Sequence, residues 1–194
     1  QLSHNMLESD FSCIKGIGTI ILNTKDQMLV GTEMEDKPAH KRAVGMISVP
    51  IETVKPFERT NMRGLMLASL AEVATDQNIM ELKDGLHTLG IIETPVVVDP
   101  ENDISAAVAV FRWIGDPERN PFLQAQTDMG DLRWMNTEEL LGACELRPYA
   151  EVIIEHAKAK GYLNGHFSKP MSGLDRFSPS RHAKARESHH DVSK

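Results

Sequence analysis

The chain has 194 residues, 41% of them hydrophobic and 25% charged, which suits one medium-sized globular domain with an extra segment, or at most two small ones. No stretch approaches the roughly 18 apolar residues of a membrane span, and the opening "QLSHNMLESDFS" lacks the basic and apolar halves of a secretory signal, so a cytoplasmic setting is expected. The net charge of −7 is uneven: from His166 onward six Lys/Arg oppose three acids, leaving −10 on the rest, which disfavours general nucleic-acid binding and suits a site that gathers divalent cations.

Residues 1–13 read as an extension; the first of them is Gln1 rather than Met, consistent with numbering that begins inside a longer gene product or after processing. "GIGTIILNTKDQMLVGTEM" (16–34) predicts two strands around a turn at Asn23–Gln27. "AVGMISVP" (43–50) is a short strand-prone run ended by Pro50. Met62, Leu65, Met66, Leu70 and Val73 recur at helical spacing, predicting a helix over about 61–77 with Asn61 as its N-cap. "TLGIIETPVVVD" (88–99) and "SAAVAVFRWIG" (105–115) are the strongest strand candidates, and 116–131 is a polar loop with two prolines. "LRWM" is a short strand. "NTEELLG" starts a helix with acids in its first turn, and "RPYAEVIIEHAKAKGYL" (147–163) is a last amphipathic helix with Pro148 in its first turn. This order predicts an α+β domain over 14–164, a mixed sheet flanked by helices. Residues 165–194 are a basic tail too poor in apolar residues to fold alone. Cys13 and Cys144 read as two reduced thiols, with one disulfide as the alternative.

Glu72 and Asp76 stand four apart in the helix candidate, and such positions share a helix face. The pair is either a solvated face or half of a metal site. "VPIETVKPFE" (49–58), read together with "AEVATDQNI" (71–79), resembles a degenerate Nudix box. That box runs Gly, five residues, Glu, seven residues, then Arg-Glu-apolar-x-Glu-Glu-x-Gly-apolar. Val49–Pro50 matches its lead-in, Glu52 stands at the glycine and Glu58 keeps the first Glu. Arg59–Leu70 is about five residues longer than the box allows. Ala71 then stands for Arg, Glu72 for Glu, Val73 for the apolar residue, Thr75 and Asp76 for the Glu pair, Asn78 for Gly and Ile79 for the closing apolar position. The opening hairpin and "GDLRWMNTEELLGACELRPYAEVIIEH" (130–156) are similar to the family's first strands and its ending, so the likeness covers roughly 14–163.

The resemblance implies a Nudix-like mixed sheet between helices and metal-dependent hydrolysis of a diphosphate linkage in a nucleoside diphosphate derivative. It implies Mg²⁺ or Mn²⁺ held by Glu72 and Asp76, with Glu58 a further ligand or base, because hard cations take oxygen ligands. Further acids would come from Asp116 and Glu118, with Asp128 and Asp131 behind them; Lys41, Arg42 and Arg112 would meet phosphates. The departures weaken the catalytic half. Thr75 has no charge, and Ala71 lacks the Arg that orients the acids. Asp76 is one methylene short, which moves its oxygens by about 1.5 Å, a shift that can cost about 10²-fold in rate. Asn78 for Gly is the mildest change, since Asn tolerates a left-handed helix end. The alternative implication is a catalytically inactive Nudix fold serving as a binding or scaffold subunit of a larger complex. Expected partners are a nucleotide-type small molecule, a protein meeting the C-terminal tail, and a second copy in a homodimer. Trp113 and Trp134 read as core rather than as base-stacking platforms, and the histidines show no ligand spacing.

Overall fold

The structure, a computed structural model, describes residues 11–59, 61–122 and 129–163. The elements in chain order are β1 (Gly16–Leu22), β2 (Gln27–Glu33), a short 3-10 turn (Pro38–His40), β3 (Ile47–Ser48) and β4 (Ile51–Thr53). Helices α1 (Met62–Leu70) and α2 (Ile79–Gly85) come next, then β5 (Leu86–Ile91), β6 (Val96–Asp99), β7 (Ile104–Trp113), β8 (Met129–Asn136), α3 (Thr137–Leu141) and α4 (Pro148–Ala159).

The strands form one mixed sheet. β1 is buried along its whole length and pairs in parallel with β7, Gly16 opposite Ala106 through Leu22 opposite Arg112. β1 also pairs with β4, and β2 carries β3 and β8 as antiparallel neighbours. β5 and β6 line the other side of β7. Strand periodicity divides the core in two. Ile17, Ile21, Ala107, Ala109, Phe111 and Trp113 face the cluster that buries Leu65 and Ala68 of α1 and Leu82 of α2. Ile20, Leu22, Val108 and Val110 face the cluster that buries Tyr149, Ile153, Ile154 and Ala157 of α4. The fold is therefore α+β, a mixed sheet between helices on both faces. Among the described residues no helix is long and apolar enough to cross a membrane.

The hairpin, the strand at β7, both late helices and the N-cap of α1 match the sequence-based expectation: the Asn61 side chain accepts from the Arg63 amide at 2.8 Å. Three boundaries differ. The helix expected to reach residue 77 ends at Leu70, and a separate helix, α2, begins at Ile79. The run 88–99 is two strands, parted at residues 92–95 where Pro95 cannot donate to a ladder. Within β5 the register shifts between Thr88 and Gly90, and Gly90 sits at φ +130°, a conformation that favours glycine. The strand around "LRWM" is longer than expected because Met129, Gly130 and 133–136 all pair with β2, across a register shift between Val30 and Thr32. The expected tail after 164 and most of the expected N-terminal extension lie outside the described residues.

Candidate functional site

Helix α1 is anchored to the sheet where it stops: the Thr19 hydroxyl of β1 donates to the Ser69 carbonyl at 2.7 Å. Beyond Leu70 the chain makes tight turns, with Val73 and Ala74 both donating to the Leu70 carbonyl. Asn78 fastens the turn over residues 73–78. Its Oδ1 accepts from the Thr75 amide at 2.8 Å, and its Nδ2 donates to the carbonyls of Val73 at 2.8 Å and Pro121 at 3.0 Å. An Asn side chain that serves backbone groups in this way offers the chain an alternative to helix. Asn78 is 3% exposed and has φ −111°, so it occupies the glycine position of the box without adopting the left-handed conformation expected of it. It also opens α2, its carbonyl accepting from the Leu82 amide.

Glu72 and Asp76 thus lie in turns between two helices rather than on one helix face. Asp76 is exposed; Glu72 is half-buried, with its Oε2 out of contact with solvent. The Thr75 hydroxyl is buried as well. Glu58 is at the far end of α1, where its backbone lies 3.2–3.3 Å from the point that a Cβ on Gly64 would occupy. Its carboxylate accepts from the Lys55 amide at 3.2 Å. From Gly64 to Leu70 the helix rises about 9 Å, and Glu72 follows that end in the chain.

The remaining candidates are engaged in local structure. Asp116 Oδ1 accepts from the Glu118 amide at 2.9 Å, and Glu118 forms an exposed pair with Lys25 at 2.6 Å. That pairing raises the pKa of Lys25, through the Glu118 hydrogen bond and then its charge. Arg112 donates to the Asn23 carbonyl and to Asp26 Oδ1, both at 2.9 Å, gripping the β1–β2 turn. Asp131 pairs with Arg133 at 3.1 Å. Asp128 lies outside the described residues.

Lys41 and Arg42 belong to a different cluster, where the loop after β2 crosses the start of α4. Buried Glu33 meets Arg42 Nε on one oxygen and Arg147 Nη1 at 3.1 Å on the other. Arg147 also donates to the His40 carbonyl at 3.0 Å and lies 4.9 Å from the centre of the Tyr149 ring. Burial lowers the pKa of Arg147 and the charge of Glu33 opposes that shift. Tyr149 donates to Asp99 Oδ2 at 2.7 Å, and Lys41 Nζ lies 3.9 Å from Asp99 Oδ1. Asp99 titrates at about 2, held down by the Asn102 side-chain amide and the Tyr149 hydroxyl against the cost of burial. Tyr149 is pushed up to about 12, by burial first and by Asp99 next.

A box-type metal site needs carboxylates converging from one helix. Among the described residues no group of three His, Cys, Asp or Glu side chains is arranged to hold a metal ion. With α1 ended at Leu70, a buried neutral hydroxyl at Thr75 and Glu58 beside the first turn of that helix, the described residues do not fit the metal of the family that the sequence resembles.

No protein-family model matches the sequence, and no curated protein matches it. Several solved structures are similar to it at low identity. The MutT protein from Methanosarcina mazei Go1 is 15% identical with a TM-score of 0.44, covering 76% of this chain and 94% of its own. The Nudix domain of Shewanella oneidensis NrtR, solved with ADP ribose, is 10% identical with a TM-score of 0.46, covering 76% of this chain and 87% of its own. The Nudix hydrolase RenU from M. smegmatis is 11% identical with a TM-score of 0.46, covering 81% and 92%. At these identities and TM-scores the likeness carries no argument about the site or its chemistry.

The residues that sequence patterning did not single out are Glu33, Asp99, Arg147 and Tyr149; Asn78 was read only as a substitute for the box glycine. Asn78 carried a visible signal, an amide in a box position where the family has no side chain. Glu33, Asp99 and Arg147 carried none: each is an ordinary charge at an element end until the fold buries it.

Proposed function

We propose that this chain is a Nudix-like domain that binds rather than hydrolyses, a ligand-binding or scaffold module in which the box segment has become structural. The observation that carries this reading is the interruption at residues 71–78, which takes Glu72 and Asp76 off a common helix face. A carboxylate set that does not converge cannot offset charge on a diphosphate in the way the family's chemistry requires. The loss of Arg at Ala71 and of an acid at Thr75 supports the same reading. The ligand class is a nucleotide-type diphosphate or a protein partner, with a homodimer as one form of the latter.

The second reading is metal-dependent diphosphate hydrolysis, with Mg²⁺ or Mn²⁺ on Glu72 and Asp76 and with Glu58 as base. It is favoured by the acids retained at these box positions. Incubating the protein and Glu72→Gln with a panel of nucleoside diphosphate derivatives and either cation separates the two. Ligand-dependent thermal stabilisation without turnover is the expected outcome. Turnover that needs the cation and disappears in Glu72→Gln would establish the hydrolase.

A further inference from the structure

Asn78 gives the box segment a fastening of its own. We infer that its buried side-chain amide does the ordering of residues 73–78 and ties them to the 116–122 loop, so that the two segments form one unit independent of any divalent cation. This inference rests on the non-hydrolytic reading above.

A buried amide left without partners is costly, and a satisfied one fixes the groups it joins. Asn78 offers one acceptor and two donor hydrogens on its side chain, and its contacts use both ends: Thr75 N into Oδ1, and Nδ2 out to Val73 O and Pro121 O. Two of these bonds close the turn within the box segment. The third spans 43 residues of sequence to the loop. A second contact between the same regions lies alongside, Arg119 Nε to Glu81 Oε1 at 2.9 Å. The loop is held from its other side as well, the Asn120 amide donating to the Leu132 carbonyl of β8 at 2.9 Å. Phe122 closes it into the core, with its ring 6.3 Å from that of Trp113 and 5.9 Å from that of Trp134, both edge-on. The box turn is thereby connected through Asn78 to the loop, and through the loop to β7 and β8. A glycine at position 78 has no atom able to make any of these three bonds. Of the residues that depart from the box pattern, Asn78 is the one that supplies this order.

Amide hydrogen exchange followed by NMR tests this on the whole chain. In the wild-type protein the Thr75 amide is expected to be protected, and excess EDTA, Mg²⁺ or Mn²⁺ is expected to leave that protection unchanged. Asn78→Gly and Asn78→Ala are expected to lower protection at Thr75 on the order of tenfold or more, while β2–β8 amides keep theirs. Asn78→Asp keeps the acceptor for Thr75 and loses both donor bonds, so it should release the 116–122 loop more than the Thr75 amide. Unchanged Thr75 protection in Asn78→Ala would overturn the inference. So would a rise in protection with Mg²⁺ in the wild-type chain, a measurement that needs no variant to fold. Failure of the non-hydrolytic reading shows separately, as turnover lost in Glu72→Gln; a cation that orders the turn without turnover overturns this inference alone.

Discussion

Arg147 bears more on the stability of this domain than any of the acids in the box segment. It is 6% exposed, and Glu33, which it meets, is 2% exposed. Removing one partner of a buried pair leaves the other as an uncompensated charge, at a cost of about 3–5 kcal/mol. Arg147→Ala should therefore shift the urea midpoint far more than Lys25→Ala, whose pair with Glu118 is solvated; equal shifts would show that Arg42 alone satisfies Glu33. Asp99 makes a separate prediction for pH. Its folded pKa of about 2 lies below the ordinary 3.8. A depressed carboxylate contributes stability above its unfolded pKa and loses that contribution as pH falls through the folded value. The wild-type melting temperature should thus drop between about pH 4 and pH 2, and the drop should be shallower in Asp99→Asn. Parallel pH profiles for the two proteins would contradict this. Neither Arg147, Glu33 nor Asp99 announced itself in the sequence, because burial is a property of the partners that the fold brings in from residues up to 114 apart.

At the scale of elements, the close seat of α4 on β1 is set by Gly18. A Cβ there would lie 2.6 Å from Ile153 Cδ1 and 3.0 Å from Ile153 Cγ2. Gly18→Ala should cost about 1–3 kcal/mol through overpacking. In the double variant with Ile153→Val the cost should be less than the sum of the two changes, because the clash is shared. Strict additivity in denaturant titrations would place the cost elsewhere. Strand and helix types were largely legible, since alternation in β7 and the 3.6-residue spacing of α4 reflect directly which faces they bury. The end of α1 was not legible. Val73 continues the apolar spacing and is fully buried, yet it enters the core from a turn. Periodicity reports burial, and burial at position 73 does not require helix. The bonds of one buried amide decide the local backbone there, and no pattern of apolar residues encodes them.

For the whole molecule, the sheet with helices on both faces was expected from the order of the elements, and the structure has it. The candidate site was legible only as a set of positions. Glu58, Glu72 and Asp76 stand where the family resemblance puts them in the sequence, but α1 lies between the first and the others in the chain and the turn at 71–78 removes the helix face that would align the rest. The cations expected to meet phosphate are likewise engaged: Arg112 holds the β1–β2 turn, and Lys41 and Arg42 face the buried acids beside α4. In the described residues these charged side chains hold the domain's own segments together. The most direct test of that account is ³¹P NMR of nucleoside diphosphate derivatives incubated with the full chain and Mg²⁺ or Mn²⁺. The account predicts that the diphosphate resonances persist unchanged, whichever cation is added. Their conversion to monophosphate signals with the wild-type chain, and not with Glu72→Gln, would contradict it.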